Sequence, residues 1–527
     1  MEIHAALTAR NGQDRLRPRP MKNTVHIVLA GAVLVACSMG ARAQNPGAAS
    51  CERLRSLALN GARVTAAEPV AEGAFVPPAP PNAARFADLP AFCRVTALAS
   101  RPGDTDVKIE VWLPAAEKWT GEFQPAASGF AGGTIGYREM RTIAARGIAT
   151  ANTNRGHDGG GPWKAADMSA APYHLMAEHA RAIVAAFYNR PPALTFMNEC
   201  GGSGSRDALM LIQRAPADLD AAVVEGIIYR PTRHGVSQMW IYQATHANEA
   251  SFIPPSKYPM LHQAALDACD AKDGVKDGVI SDPPRCQFDP GVLTCKGGDS
   301  PSCLTAQQVT AVRAIYSPPR DARTNDPLYP PLVPGGELNW QPIAGEANPY
   351  AYATMFYRNA VFQDPSWNPK TRPANFSDDL DRGDALSASI DANDPRISAF
   401  LSRGGKLLML GGWNDDLPPG GNVEYYEAVV KAVGPALAGA GVRLFMVPGM
   451  HHCLGERFDT NPTTEFDSVS LLKQWKGTGR ISDTIVVTQT TADGNASKRL
   501  VCAYPQVAEY RGKGDTSDPA SYVCRKP

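Results

Sequence analysis

The chain has 527 residues, and its 52 lysine and arginine side chains are balanced by 52 aspartate and glutamate side chains, so the formal net charge is zero. Without a basic face or an acidic tail, the composition argues against a nucleic-acid partner and favours a small, largely uncharged or weakly anionic substrate. The length is compatible with one elaborated domain or with two.

Residues 1–43 are predicted to be an upstream extension followed by an export signal. Lys22 precedes the apolar run Val25–Val35, which is the order of a secretory signal. Two processing sites fit: a lipoprotein box that would leave a lipid-anchored Cys37, and an Ala-x-Ala sequence that ends at Ala43. No later apolar run approaches the roughly 20 residues that span a bilayer. We therefore expect a periplasmic, outer-membrane lipoprotein or secreted protein without a transmembrane segment.

Export would place the cysteines in an oxidising compartment, and ten of the eleven follow the signal region. Proximity in the sequence suggests four disulfides: Cys51–Cys93, Cys269–Cys286, Cys295–Cys303 and Cys502–Cys524. Cys200 and Cys453 are left over. We expect them to form a fifth disulfide; the alternative is two free buried thiols.

Hydrophobic periodicity predicts alternating strands and helices. After a linker rich in proline and alanine, Val107–Pro114 alternates apolar and polar residues and is predicted to be an exposed or edge strand. The later predicted elements are a helix over Ala177–Tyr188, a strand over Ala193–Met197, a helix over Asp207–Arg214, strands over Ala221–Ile228 and Lys406–Leu410, a helix over Val423–Val433, a strand over Val442–Val447 and a helix over Val469–Trp475. This order is typical of a parallel α/β sheet.

Residues 231–385 interrupt the pattern with a stretch rich in proline, aspartate and tryptophan, which is too long to be one loop. We interpret it as an inserted lid domain, so that residues 44–230 and 386–527 together form the catalytic α/β domain. The aromatic residues of the insertion either line a substrate pocket or form the lid's own core, and we favour the core: Trp240, Tyr242, Trp340, Tyr350, Phe356 and Trp367.

The turn after strand 193–197 resembles a nucleophile elbow. Gly201-Gly202-Ser203-Gly204-Ser205 is a variant of G-x-S-x-G in which Ser205 replaces the last glycine. Small residues are needed there because the chain turns sharply from strand into helix and directs backbone N–H groups at a developing oxyanion. Ser203 is therefore the predicted nucleophile, against the alternative of a plain loop.

An acid and a base follow two later strands. Asp415 comes after strand 406–410 and His452 after strand 442–447, and the chain order Ser, Asp, His is that of the α/β-hydrolases. We therefore predict an α/β-hydrolase fold, a mostly parallel sheet flanked by helices, with the inserted lid. Ser203 would attack a carbonyl, His452 would pass the proton to the leaving alcohol, and Asp415 would orient the imidazole. Asp416 and His451 are the alternatives to their neighbours.

Three motifs resemble the tannase and feruloyl esterase family, which includes mono(2-hydroxyethyl) terephthalate hydrolases: Asn198-Glu199-Cys200, Gly412-Trp413-Asn414-Asp415 and Gly449-Met450-His451-His452-Cys453. The resemblance extends over nearly the whole mature chain. It implies a serine carboxylic-ester hydrolase that forms an acyl-enzyme from feruloyl, galloyl or terephthalate monoester substrates. It also implies a disulfide between residues adjacent to the catalytic serine and histidine.

The chain departs from this family at the elbow. The family pattern has serine directly after the cysteine, where this chain has Gly201, and one extra residue separates Cys200 from Arg206. Ser203 fits the nucleophile role only if the turn shifts its register, and Ser205 is the second choice. The oxyanion loop, residues 124–129, is also poorer in glycine than in the family. A catalytically degenerate, ester-binding member of the same fold is therefore the alternative function. The sequence does not indicate an oligomeric state.

The segment Asp270–Ile280 spaces three carboxylates with glycines, and calcium takes about six to eight oxygen ligands of this kind. The resemblance implies a structural Ca²⁺ in the lid, bound by the side chains of Asp270, Asp273 and Asp277 and by the carbonyl oxygens of Val275 and Val279. The alternative is a solvated Asp/Gly loop. The segment is not an EF-hand, because the distal glutamate is missing. A metalloenzyme is a weaker hypothesis, since no His-x-x-x-His spacing occurs.

Overall fold

The predicted strands join a large mixed sheet. The computed structural model describes residues 51–78, 83–101, 104–127, 132–158, 164–455, 462–491 and 493–527, so the predicted signal, the Cys37 box and the Ala43 site lie outside the described residues. The strands of this sheet are β1 (Ala58–Leu59), β2 (Ala62–Val70), β3 (Phe92–Ala99), β4 (Val107–Pro114), β5 (Glu122–Pro125), β6 (Ala149–Thr153), β7 (Leu194–Cys200), β8 (Ala221–Glu225), β9 (Lys406–Gly412) and β10 (Val442–Val447). Their spatial order is β1-β2-β3-β4-β6-β5-β7-β8-β9-β10.

The two halves of the sheet pair differently. From β1 to β6 the neighbours are antiparallel, whereas β6, β5, β7, β8, β9 and β10 pair in parallel. The strand Val107–Pro114 has the predicted bounds, but the prediction of an exposed or edge position was wrong. β4 lies between β3 and β6, and seven of its eight residues are buried. The apolar and polar alternation failed as a guide because Glu110, a polar residue, is buried and bonded to Arg94 and Trp112.

Both faces of the parallel half are covered. Ala222 and Val224 of β8 belong to one hydrophobic cluster, and Ala221 and Val223 belong to another. Since successive side chains of a strand point to opposite faces, β8 is buried on both sides, as parallel strands usually are. The continuous apolar runs of the sequence are therefore explained by a central sheet between two layers.

The helices are α1 (Tyr137–Ala144), α2 (Ala171–Tyr188), α3 (Gly201–Arg214), α4 (Pro231–Thr245), α5 (Tyr258–Cys269), α6 (Ala306–Ile315), α7 (Ala351–Phe356), α8 (Asp378–Ile390), α9 (Ser398–Ser402), α10 (Gly420–Val433), α11 (Pro435–Gly441) and α12 (Ser468–Thr478). None of the described helices is both long and apolar enough to cross a membrane. The α/β-hydrolase prediction is confirmed by this mostly parallel sheet with flanking helices.

Residues 231–385 are inserted between β8 and β9 and hold α4 to α7 and the start of α8. The described residues all belong to one compact unit, 45–527, and the proposed boundaries of a separate lid domain stay a prediction. The aromatic residues of the insertion form its own core, as we favoured: Tyr242, Phe356 and Trp367 lie in one buried cluster and Trp340 in a second, with Trp240 and Tyr350 packed against them.

Two small antiparallel sheets complete the C-terminal part: β11 (Thr463–Glu465), β12 (Thr484–Thr490) and β13 (Ala496–Cys502) form one, and β14 (Val507–Tyr510) and β15 (Tyr522–Arg525) form the other. All five predicted disulfides are present: Cys51–Cys93, Cys200–Cys453, Cys269–Cys286, Cys295–Cys303 and Cys502–Cys524. The alternative of free thiols at positions 200 and 453 was wrong.

Candidate active site

The turn from β7 into α3 has Gly201 at its tip. β7 ends at Cys200, α3 begins at the next residue, and Gly201 has a φ of +75°. Residues with a side chain rarely adopt this left-handed conformation. A sharp, strained strand-to-helix turn of this kind presents the nucleophile in α/β-hydrolases. Gly201 therefore occupies the tip of the elbow, the position that holds the nucleophile in such turns, and it is itself buried.

The helix begins six residues earlier than the predicted start at Asp207, so the glycine and serine stretch forms its first turns. Glycine disfavours helix formation, but neighbouring side chains pack closely on these glycines. A Cβ at Gly202 would lie 2.6 Å from Ile228 Cδ1, and one at Gly204 would lie 2.5 Å from Glu199 Oε2. Tertiary packing therefore overrides the local preference for a loop.

The imidazole of His452 lies between two glycines. A Cβ at Gly201 would lie 2.9 Å from its Nε2, and a Cβ at Gly226, directly after β8, would lie 2.6 Å from its Nδ1. Gly226 also has a positive φ, +51°. A side chain at position 226 would displace the ring. His452 thus faces the elbow tip from a slot that only glycine leaves open.

Asp415 and Asp416 each meet a different histidine. His452 Nδ1 and Asp415 Oδ2 are 2.7 Å apart, while Asp416 Oδ1 lies 3.2 Å from Nε2 of His451. The Asp415 side chain is only 2% exposed, and its second oxygen accepts the Leu417 N–H at 2.8 Å. Burial raises the pKa of Asp415, and the neighbouring His452 opposes that rise. The structure therefore brings Asp415, and not Asp416, to His452.

A disulfide and a backbone hydrogen bond join the loops that carry these groups. The Cys200–Cys453 disulfide links the elbow strand to the residue after His452, with the two Cα atoms 6.0 Å apart. The acid loop meets the histidine loop where the Asn414 N–H donates to the Met450 carbonyl at 3.0 Å. These connections hold the Asp415–His452 pair in a fixed position relative to the elbow.

The structure does not bring Ser203 to His452. Ser203 is half-buried in the first turn of α3, two residues beyond Gly201. Among the described residues, Ser203 makes no hydrogen bond to His452. The register shift that would make Ser203 the nucleophile is therefore not observed.

Ser205, the second choice, is held elsewhere. Its hydroxyl lies 2.7 Å from the carbonyl oxygen of Glu225 and 2.9 Å from that of Glu199, and it accepts the Glu225 N–H at 3.1 Å. The residue is fully buried between α3 and β8. Ser205 therefore joins the elbow helix to the sheet and does not face the imidazole.

Glu199 links the elbow to the loop after β5, where α/β-hydrolases place part of their oxyanion hole. Its Oε1 accepts the N–H of Ala127 at 3.0 Å. Although the residue as a whole is partly exposed, burial of the carboxyl group raises its pKa to about 8; Asp207 and Glu139 add to the rise and Arg155 opposes it. We therefore expect Glu199 to be protonated at neutral pH. Residues 128 and 129 of the predicted oxyanion loop lie outside the described residues.

A second imidazole lies near the site. His234 of α4 is buried, and its ring contacts those of Tyr352 and Tyr329 at centroid distances of 5.6 and 5.8 Å. Burial lowers the pKa of His234 to about 3, and the neighbouring His452 adds to the effect. His234 is therefore neutral at physiological pH and adds no charge to the site.

The predicted calcium loop is already satisfied by protein donors. Asp270 accepts the Asp277 N–H at 3.3 Å, Asp273 accepts the Ser281 hydroxyl at 2.6 Å, and Asp277 pairs with Arg499 at 2.7 Å. In the part of the chain that the structure describes, these three carboxylates are not among the groups whose ligand atoms all lie within 4.8 Å of one another. A calcium ion would therefore require these carboxylates to turn from their protein donors towards a common point, and the site stays a prediction.

The two valines predicted to offer carbonyl oxygens lie in the same loop. The N–H of Val275 donates to Asp273 at 3.0 Å, and the N–H of Val279 donates to Asp277 at 3.2 Å. These Asx-type turns fix the shape of the loop.

Sequence reasoning missed Gly226 and the side chain of Glu225, whose Oε2 accepts the Leu454 N–H at 2.9 Å, just past the disulfide. It also gave no role to Glu199. One signal was available: glycine directly after a buried strand often marks a close approach of another backbone or side chain. The partner of that approach, His452, is distant in sequence and could not be identified.

Comparisons with known proteins agree with this geometry. The family described as "Tannase and feruloyl esterase" matches residues 93–525. The chain is 31% identical to an uncharacterized esterase of Xanthomonas campestris pv. campestris, over 90% of this chain and 91% of that protein. It is 30% identical to the mono(2-hydroxyethyl) terephthalate hydrolase of Piscinibacter sakaiensis, over 91% of this chain and 92% of that enzyme.

Among solved structures, feruloyl esterase B from Aspergillus oryzae superposes with a TM-score of 0.78 and 24% identity, covering 91% of this chain and all of that one. This likeness supports the fold. Given the family match over most of its length and the two full-length relatives, the chain belongs to the tannase and feruloyl esterase family, whose members are carboxylic ester hydrolases.

Proposed function

We propose that the chain is an exported hydrolase of aromatic carboxylic esters. The observation that carries the proposal is the 2.7 Å hydrogen bond between Nδ1 of His452 and Asp415, at a place where the ring faces the elbow tip. An imidazole held in this way accepts a proton from an attacking hydroxyl group and returns it to the departing alkoxide. Ester hydrolysis uses both transfers, since one bond to oxygen forms and another breaks.

The aromatic acyl group is proposed from the names of the relatives. One is named for a terephthalate monoester and one solved neighbour for a feruloyl ester. Feruloyl, galloyl and terephthalate monoesters share an aromatic ring conjugated with the scissile carbonyl. They are uncharged at neutral pH or, for the terephthalate monoester, carry one carboxylate, and the zero formal net charge of the chain agrees with such weakly charged substrates.

Turnover of methyl ferulate, methyl gallate and mono(2-hydroxyethyl) terephthalate, with ethyl acetate as an aliphatic comparison, tests the proposal. We expect His452→Ala to lose at least about 100-fold in kcat, because it removes general acid and base catalysis. Asp416→Asn is the matched control, since it removes a carboxylate of the same loop that contacts His451 instead, and it should lose much less. Equal rates for the wild type and a folded His452→Ala variant would contradict the proposal.

A second candidate is a protein that binds esters without turnover. Gly201 favours it, because the elbow tip carries no hydroxyl group. The two candidates differ in a measurement that does not depend on rate. If mono(2-hydroxyethyl) terephthalate binds in calorimetry and is recovered intact after long incubation, the binding function replaces the enzymatic one.

Export and a lipid anchor are also proposals. Five disulfides fit an oxidising compartment, whereas the signal sequence lies outside the described residues. Intact-mass measurement of the protein from membrane and soluble fractions distinguishes the two processing sites. A diacylglycerol adduct on Cys37 indicates a lipoprotein anchored to the membrane, and an N-terminus at Gln44 indicates a protein without this anchor.

We also propose that the loop Asp270–Ile280 of the predicted lid binds a structural Ca²⁺, which would require one ion pair of the loop to be replaced. The loop offers three carboxylates, but Asp277 is paired with Arg499, and burial, together with Asp277, raises the pKa of Asp273. Calcium would have to replace the guanidinium as the partner of Asp277. Added Ca²⁺ should then raise the melting temperature of the wild type, and an unchanged melting temperature would count against the ion.

A further inference from the structure

We propose that this chain hydrolyses its ester by direct attack of a water molecule activated by Nε2 of His452 beside Gly201, without an acyl-enzyme intermediate. The inference rests on the proposed function and concerns the identity of its nucleophile. It departs from the serine mechanism that the resemblance of the sequence implies.

The geometry of the elbow supplies the first argument. Gly201 has the left-handed φ of the residue at the elbow tip, and the disulfide at Cys200 fixes the register of the turn. An atom at the position of a Cβ on Gly201 would lie 2.9 Å from Nε2 of His452. A side chain there would therefore crowd the ring, and glycine leaves the edge of the ring that carries Nε2 without one. A water oxygen that bonds to Nε2 at about 2.9 Å lies beside Gly201, at contact distance from its Cα and not at the Cβ position.

The nearby hydroxyl groups supply the second argument. Ser205 is fully buried, and its hydroxyl is engaged with the backbone of Glu225 and Glu199. Ser203, in the first turn of α3, makes no hydrogen bond to His452 among the described residues. Moving either hydroxyl to His452 would require the first turn of α3 to unwind, which the close packing of Gly202 and Gly204 opposes.

The pairing of His452 supplies the third argument. Asp415 accepts the proton on Nδ1, which places the lone pair of the neutral imidazole on Nε2, the atom that faces Gly201. Nε2 can then take a proton from water, as it would from a serine hydroxyl. The Asp415–His452 pair can therefore activate a water molecule as the nucleophile.

The reaction balances with water as the only co-reactant. The water oxygen bonds to the carbonyl carbon while one of its protons passes to His452 Nε2, and the carbonyl electron pair moves to the oxygen. The tetrahedral species then collapses, the bond to the alkoxy oxygen breaks, and His452 returns the proton to that oxygen. The products are a carboxylic acid and an alcohol, and His452 ends neutral as it began.

The first experiment uses the wild-type protein, and a variant follows. The protein is mixed with excess mono(2-hydroxyethyl) terephthalate, product formation is followed on the millisecond scale, and acid-quenched samples are analysed by intact mass. We expect no burst, no acyl adduct and no label from a fluorophosphonate. Gly201→Ser should gain the fluorophosphonate label at position 201. Ser203→Ala should hydrolyse the ester at the wild-type rate, whereas His452→Ala should lose about 100-fold or more.

Each outcome decides one question. An acyl adduct or a label on any serine of the wild type, or a large loss in Ser203→Ala, overturns the water mechanism and leaves the proposed hydrolase function intact. An undetectable rate in the wild type defeats the hydrolase function itself. A rate that is unchanged in His452→Ala overturns the role of the imidazole. The wild-type measurement remains decisive even if Gly201→Ser does not fold.

Discussion

Replacement of Glu199 by glutamine should change how the stability of this protein depends on pH. Burial raises the folded-state pKa of this carboxyl group from 4.5 to about 8. Between these two values the folded protein keeps a proton that the unfolded chain has lost. The stability that comes from this proton is complete below the unfolded pKa and is lost as the pH rises towards the folded pKa.

The size of the effect follows from the shift. A group that is protonated only in the folded state lowers the free energy of unfolding by about 1.4 kcal/mol per pH unit. From pH 5.5 to 7.5 the wild type should therefore lose about 3 kcal/mol through Glu199. Divided by the unfolding entropy of a domain of this length, that loss corresponds to a decrease of about 3 °C in melting temperature. Glu199→Gln keeps an oxygen acceptor for the Ala127 N–H and removes the titration.

The assay is thermal unfolding by fluorescence for the wild type and Glu199→Gln in matched buffers across this pH range. The difference between the two curves isolates Glu199 from the other titrating groups. Glu117→Gln, at a solvent-exposed position, is the control for loss of one carboxylate and should run parallel to the wild type. Parallel curves for Glu199→Gln and the wild type would show that Glu199 ionises normally and would refute the reasoning.

The other predictions concern the acid, the disulfide and the metal loop. Asp415→Asn should lower kcat by about 10³ to 10⁴-fold with little change in KM, because it disturbs the tautomer and orientation of His452. Steady-state kinetics on an ester that the wild type hydrolyses measure this loss, and a loss below tenfold would contradict the role of Asp415 in orienting the imidazole. Replacing both Cys200 and Cys453 with alanine should lower the free energy of unfolding by about 5 kcal/mol, since the bridge closes a loop of 253 residues. Denaturant unfolding measures this loss, and an unchanged unfolding midpoint would contradict a stabilising role of the disulfide. Ca²⁺ should raise the melting temperature of the wild type but not of Asp273→Asn, and equal shifts in both would place the ion elsewhere.

Much of the fold could be predicted from the sequence because the signals are local. The bounds of β4 and β10 agree with the apolar runs at Val107–Pro114 and Val442–Val447, and the helix over Ala177–Tyr188 was recognised from the same kind of pattern. Four disulfides followed from short separations along the chain, which left only one partner for Cys200. Strand periodicity, however, does not reveal what covers a strand, so β4 was assigned to an edge.

The elbow shows where such reasoning ends. Sequence patterns offered Ser203 and Ser205 as nucleophiles because both lie in a turn rich in glycine and serine. Which residue faces His452 depends on the direction of the first turn of α3, and that direction is fixed by contacts with Ile228 and with Glu199. The same limit applies to the loop Asp270–Ile280, where Arg499, more than 200 residues away along the chain, pairs with Asp277.

The sequence by itself indicated the alternation of strands and helices in the parallel part of the sheet, suggested the disulfide pairing and supplied the residues able to act as acid and base, since these depend on periodicity, spacing and chemical type. Only the tertiary structure decided that Asp415 and not Asp416 meets His452, and that Gly201 stands opposite the imidazole. The physical reason is that side-chain direction at a tight turn is set by packing against distant segments. A change of one residue in register reverses which chemical group reaches the site.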